Sequence, residues 1–222
     1  GFLCFQGLSV VGGRLTGVPY TLPFVDARAF PALIASLLSG LVGCGCGLAL
    51  RRWRRWLQRW SAHRLWRWTP LGTGVLLGLA LWMQPLVAFS GEHQLRPLLL
   101  GDWALSPSEA ILSGLLKLLL VGLCLETGWR GGAIFPMILS GSAIGLGLHA
   151  LLPQLGPSGV WCGGVVGGCL GVVLGSPPVA LVLGFTLLQG HGAIALGLGV
   201  LLSSWPSLHR AWSANGQQGP CS

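Results

Sequence analysis

Residues 30–50 contain no charged side chain, and Arg51-Arg52-Trp53-Arg54-Arg55-Trp56 follows at once. An uncharged run of about 20 residues is what a helix needs to cross a hydrocarbon layer roughly 30 Å thick. Further apolar runs occupy 70–89, 108–125 and 133–152, and three shorter or glycine-broken runs occupy 160–174, 177–188 and 192–203. Composition agrees with a membrane solvent. Only 8% of the residues are charged, against roughly a quarter in soluble chains. This excludes a soluble globular domain, and the 52% hydrophobic content excludes a disordered chain. Of the seven Cys, Cys44, Cys46, Cys124 and Cys169 lie in apolar runs, where a thiol acts as a small hydrophobe rather than half of a disulfide. The fold class expected is an all-α polytopic integral membrane protein with broken and tilted helices.

The last three runs are separated only by Gly175-Ser176 and Gln189-Gly190-His191. Such short breaks point to helices that tilt or stop partway through the bilayer, which is tolerated where protein or a watery path covers the freed backbone groups. Arg51, Arg52, Arg54, Arg55, Arg59, Arg64 and Arg67 share one connection between spans. Cationic short loops stay cytoplasmic, which orients the chain. Trp53, Trp56, Leu57 and Trp60 recur there at helical spacing, as in an interfacial helix with indoles at headgroup level and guanidinium groups toward anionic lipid. A nucleic-acid patch is disfavoured, because membrane spans flank the segment on both sides.

The chemistry concentrates in Glu126-Thr127-Gly128-Trp129-Arg130-Gly131-Gly132-Ala133-Ile134-Phe135-Pro136-Met137. One apolar helix stops at Gly128, a charged glycine-rich break follows, and a second helix starts near Pro136. Gly131 and Gly132 permit unusual backbone angles, and Pro136 suits a first helical turn. Unpaired amides and the positive end of the helix dipole at such a start attract anions. Arg130 would add positive field, and Glu126 could pair with Arg130 across one turn. The residues alone fit two readings, an anion site or an ordinary interhelical turn with a glycine stop and a proline start.

Gly132-Ala133-Ile134-Phe135-Pro136 resembles the GxFxP anion-binding motif of CLC chloride channels and chloride/proton antiporters, with Phe one position late. Lys117 matches a basic residue common in that family. Ser90-Gly91-Glu92-His93-Gln94-Leu95 looks like its SG-rich loop, and Gly175-Ser176-Pro177-Pro178-Val179-Ala180-Leu181 looks like the break before its penultimate helix. The ordered set is similar to the C-terminal inverted repeat of the family, from about residue 25 onward.

The resemblance implies that the amides of Ala133 and Ile134 contact a central halide, with Gly131, Gly132, Phe135 and Pro136 shaping the site and Lys117 and Arg130 shaping the field. It implies chloride or related halide transport by a voltage-gated channel or antiporter. It further implies a homodimer in the cell membrane, with the lipid bilayer and the halide as partners, no nucleic acid, no cofactor and no enzymatic activity. By it, 1–29 is a remnant of a preceding helix and linker, 30–203 a partial CLC-like transmembrane domain, and 204–222 a polar tail without a matching helix. The N-terminal repeat of the family carries an ion-contacting serine and a GREGP-like motif, and neither occurs in this chain. A C-terminal tyrosine commonly completes the anion site, whereas the sole Tyr here is Tyr20; relatives without it include a fluoride-exporting branch. These departures lead to the expectation of a C-terminal portion of a longer protein.

Two other classes compete, an unrelated broken-helix small-molecule permease and a non-transporting degenerate membrane remnant. A membrane hydrolase built on Ser140, Ser142, His149 or His191 lacks a GxSxG elbow and a carboxylate near either His. Cys44 and Cys46 have no second pair at zinc spacing, and Cys162 and Cys169 are packing residues of one helix face. Gly163, Gly164, Gly167, Gly168, Gly171 and Gly175 fit close helix–helix contact rather than nucleotide binding.

Overall fold

A computed structural model describes residues 29–61, 69–87, 92–100, 105–129, 131–188 and 192–216. Eight α-helices lie among them. They are α1 (Ala29–Ser61), α2 (Thr69–Met83), α3 (Glu92–Leu100), α4 (Pro107–Glu126), α5 (Ile134–Leu151), α6 (Ser158–Leu174), α7 (Pro177–Leu187) and α8 (Ala193–Gly216). Short 3-10 turns at Pro85–Val87 and Pro153–Leu155 complete the regular structure. No strand occurs among the described residues, so this is an all-α protein. Phe30–Arg59, Pro107–Glu126 and Ile134–Leu151 are long and apolar enough to cross a membrane, with mean hydropathies of 2.0, 1.9 and 1.6.

Helix α6 is the hub. It is apolar all round, and twelve of its seventeen residues are buried, including Trp161, Val165, Val166, Cys169 and Leu170. A helix without a polar face belongs among neighbours or in lipid, and here α1, α5 and α8 enclose it. Glycines make that possible. A Cβ on Gly168 would meet the backbone of Cys44 at 2.7 Å, and one on Gly199 would meet the carbonyl oxygen of Gly164 at 2.6 Å. The backbones of α1, α6 and α8 therefore touch directly, the packing that replaces hydrophobic drive inside lipid. Gly175 is the exception among the glycines expected to pack. It meets nothing within 4 Å and instead ends α6 in the left-handed conformation, at φ 66°.

Contacts fix the directions. Gly156 lies beside Ala32 while Val172 lies beside Gly47, so α1 and α6 run parallel. Gly147 meets Pro107 and Ile111 while Gly114 meets Ser140 and Ile144, so α5 runs antiparallel to α4. Gly141 beside Val166 and Gly145 beside Cys162 set α5 antiparallel to α6 as well. The C-terminal ends of α1, α4 and α6 thus gather at one end of the bundle with the start of α5. Phe30, Leu41, Leu48, Val75, Trp82, Leu112, Val182 and Phe185 point outward and are exposed, as lipid-facing side chains are.

Three expectations change. The apolar run 30–50 and the basic segment after it form one continuous helix rather than a span plus a separate interfacial helix. No Gly or Pro occurs from Leu50 to Ser61, and Arg, Leu and Gln propagate helix well. At 33 residues α1 is about 50 Å long, so its basic end projects past the hydrocarbon layer. Arg64 and Arg67 lie outside the described residues. The second run stops at Met83 instead of continuing to 89, because Pro85 cannot extend the ladder and opens a 3-10 turn. Helix α8 continues to Gly216 although its apolar part ends at Ser204. Polar residues do not end a helix, and residues 207–214 contain neither Gly nor Pro. Residues 1–28, Tyr20 among them, and 217–222 lie outside the described residues.

Candidate functional site

Helix α4 begins on a capping box. The Ser106 hydroxyl accepts from the Glu109 amide at 3.3 Å, and the Glu109 carboxylate accepts from the Ser106 amide at 2.8 Å. It ends on a Schellman-type stop, with the Trp129 amide donating to the Cys124 carbonyl at 3.1 Å across Gly128 at φ 89°. The left-handed residue of this break is therefore Gly128, not Gly131 or Gly132. The buried Thr127 donates its hydroxyl to the Leu123 carbonyl at 2.9 Å. The Trp129 indole donates to the Pro70 carbonyl at 3.2 Å, tying the turn to the start of α2.

Helix α5 starts with Ala133 as cap residue, at φ −79° and ψ −20°, and makes no side-chain cap hydrogen bond. The Met137 amide closes the first turn on the Ala133 carbonyl at 3.1 Å. The amides of Ala133, Ile134 and Phe135 thus have no partner within the helix, and Pro136 has no N–H to offer. Gly131 and Gly132 are exposed, and a Cβ on either would meet nothing within 4 Å. The approach to the helix start is open. Behind it, Pro136, Met137, Ile138 and Leu139 are buried against the core, so the helix that presents these amides is held rigidly.

The α4–α5 register sets Ile134 level with Gly122, and Gly122 lies against Leu50 and Trp53. The helix start therefore sits level with the point where α1 turns from apolar to basic. Glu126 is held by Arg54, whose Nε donates to Oε1 at 2.6 Å; the expected pairing of Glu126 with Arg130 falls outside the described residues. Parallel packing of α1 on α4 brings these residues together across 72 positions. Arg51 donates to the Val172 carbonyl at 3.1 Å, capping the end of α6. Arg130 lies outside the described residues.

Lys117 is buried at 3% exposure and donates to the carbonyls of Leu86 and Val87, both at 3.3 Å. The same register places it level with Leu139, about five residues or ~7 Å deeper than the α5 start. The Leu86 and Val87 acceptors of Lys117 are both neutral backbone carbonyls. Sequence reasoning missed its carbonyl acceptors and Arg54, although Pro85 signalled the turn that exposes the former. The Ser140 hydroxyl is taken by the Pro136 carbonyl at 2.7 Å. Ser142 Oγ and His149 Nδ1 are buried without a hydrogen-bond partner among the described residues, and His191 lies outside them.

Parallel and antiparallel apolar helices, a glycine-packed hub, and a broken helix whose first amides face open space define a multi-pass integral membrane protein of the broken-helix kind. The chain matches the family described as "Voltage gated chloride channel" over residues 5–207. It belongs to that family. Among curated proteins it is similar to the "Putative ion-transport protein YfeO" of Escherichia coli O1:K1 / APEC and of Escherichia fergusonii. Identity to each is 27% over 133 residues, covering 60% of this chain and 31% of the relative. No solved structure gives a significant match.

Proposed function

We propose that this chain supplies one half of a CLC-type pathway for chloride or a related halide across the cell membrane, and that it is not an enzyme. The dehydrated ion is held by the backbone amides of Ala133 and Ile134. One observation carries this reading. The α5 start combines amides that lack helical partners with an open glycine approach, at the boundary between apolar and basic layers. Gly131, Gly132, Phe135 and Pro136 shape the site, while Lys117 and Arg130 contribute field.

The amides replace part of the water lost on dehydration, and the helix dipole adds about half an elementary charge. Side chains at 133 and 134 need only be apolar, because the donors belong to the backbone. In inverted-repeat transporters two halves enclose the ion. On this reading a companion repeat completes the pathway, and the assembly is a homodimer. The name of the YfeO relatives, an ion-transport protein, supports the same class. The finer choices, channel against antiporter and chloride against fluoride, rest on the companion half.

Ala133→Pro tests the reading. Its φ of −79° already suits proline, so the substitution deletes one amide donor with little change of backbone. Halide affinity, measured calorimetrically on purified protein, should fall about 10-fold or more, the range for losing one charge-assisted hydrogen bond. Ala133→Val keeps the amide and should bind as the parent does. Equal affinity in Ala133→Pro and Ala133→Val would remove these amides from the site.

A further inference from the structure

The basic end of α1 carries five arginines in the described residues, and they divide into two sets. Arg51, itself exposed, and the half-buried Arg54 are engaged within the fold, on the Val172 carbonyl and the Glu126 carboxylate. Arg52, Arg55 and Arg59 are exposed. At 100° per residue these three fall within a 60° sector, opposite the buried Leu50 and Leu57. Arg55 bonds only back to the Arg51 carbonyl of its own helix, and Arg52 and Arg59 make no hydrogen bond or ion pair among the described residues. Trp56, 45% exposed, borders the sector and stacks on Trp53 with centroids 5.1 Å apart and planes 13° from parallel.

The same face continues up the helix as Phe30, Leu37, Leu41 and Leu48, all exposed. One uninterrupted surface thus passes from large apolar side chains, through a stacked indole pair, to three guanidinium groups. Leu48 precedes Arg52 by only about 6 Å of helix rise. That sequence of chemistries is the profile of one membrane leaflet, with acyl chains, then interface, then headgroups. Its charge decides which headgroup.

We propose that Arg52, Arg55 and Arg59 form a binding site for the phosphate of an anionic phospholipid, whose acyl chain lies along the Leu41–Leu48 face of α1. Guanidinium forks suit phosphate oxygens. Arginines spaced by three, four and seven positions stand on adjoining turns of one face, so a single headgroup can meet two of them. The site is separate from the α5 start and does not depend on halide binding there.

The test places the purified chain in bilayers of phosphatidylcholine containing either brominated phosphatidylglycerol or brominated phosphatidylcholine, and reads quenching of tryptophan emission. The parent should favour phosphatidylglycerol about five-fold or more at 0.15 M salt, on the order expected for each arginine at an anionic surface. The preference should shrink at 1 M salt. Arg52→Gln/Arg55→Gln/Arg59→Gln should bring it to about one, with helicity and elution volume unchanged. Arg14→Gln/Arg28→Gln/Arg96→Gln removes the same charge elsewhere and should leave it intact. A parent without preference, or an equal loss in both triple variants, overturns the proposal. Retention of the preference in the first triple variant does the same, and a face that covers protein instead of lipid would show as no quenching by either lipid.

Discussion

Gly168→Ala isolates the packing that builds the bundle. The added Cβ would stand 2.7 Å from the Cys44 amide nitrogen, 3.0 Å from the Gly43 carbonyl carbon and closer still to the Gly40 carbonyl oxygen. Carbon contacts relax at roughly 3.5–4.0 Å, so α1 must retreat by about 1 Å. None of the three atoms belongs to a side chain that can rotate away. Gly199 lies against the other side of the same turn, its own added Cβ being 2.7 Å from the Gly168 nitrogen, so α6 cannot shift to compensate. Overpacking costs about 1–3 kcal/mol, and a backbone wedged on two sides belongs at the upper end. Gly45→Ala is the matched control, since its Cβ meets nothing within 4 Å; it should be neutral or stabilise by up to about 1 kcal/mol. The two variants should separate by about 3 kcal/mol, or about 6–12 °C in Tm for a chain of this size. Thermal unfolding in detergent, followed by tryptophan emission, reads the difference. Variants within about 0.5 kcal/mol of each other would refute direct backbone contact between α1 and α6.

Two smaller perturbations probe the ends of α4. Arg54→Ala and Glu126→Gln should show a coupling of about 1–2 kcal/mol in a double-mutant cycle, between the values for exposed and buried pairs, because the side chains are 36% and 11% exposed; additive effects would show that the pair contributes nothing. Ser106→Ala removes one arm of the capping box and should lower stability by about 1 kcal/mol, whereas Ser106→Thr should retain most of it; unchanged Tm in the alanine variant would contradict the cap.

How much of this was legible in the sequence follows from the range of each interaction. Local devices were readable. The glycine stop at 128 and the helix start near Pro136 act within four or five residues, and the helices stand close to the runs that suggested them. Tertiary choices were not. Nothing near Glu126 in sequence announces Arg54, which parallel packing delivers from another helix. Gly175 shares the spacing of its packing neighbours, yet at the end of α6 the same residue type serves a turn. The start of α5 was visible as a motif, whereas its level beside Gly122, Leu50 and Trp53 depends on a register that only packing sets. The basic segment misled because a change of solvent looks like a change of element, and a helix crosses that boundary without a break when nothing in it stops the ladder.

The most direct test of the central claim is the position of bromide in crystals of the protein grown with that ion, located by its anomalous signal. A peak within hydrogen-bonding distance of the Ala133 and Ile134 amides, lost in Ala133→Pro and kept in Ala133→Val, is the predicted result. Bromide bound elsewhere, with the α5 start empty at saturating concentration, would contradict it.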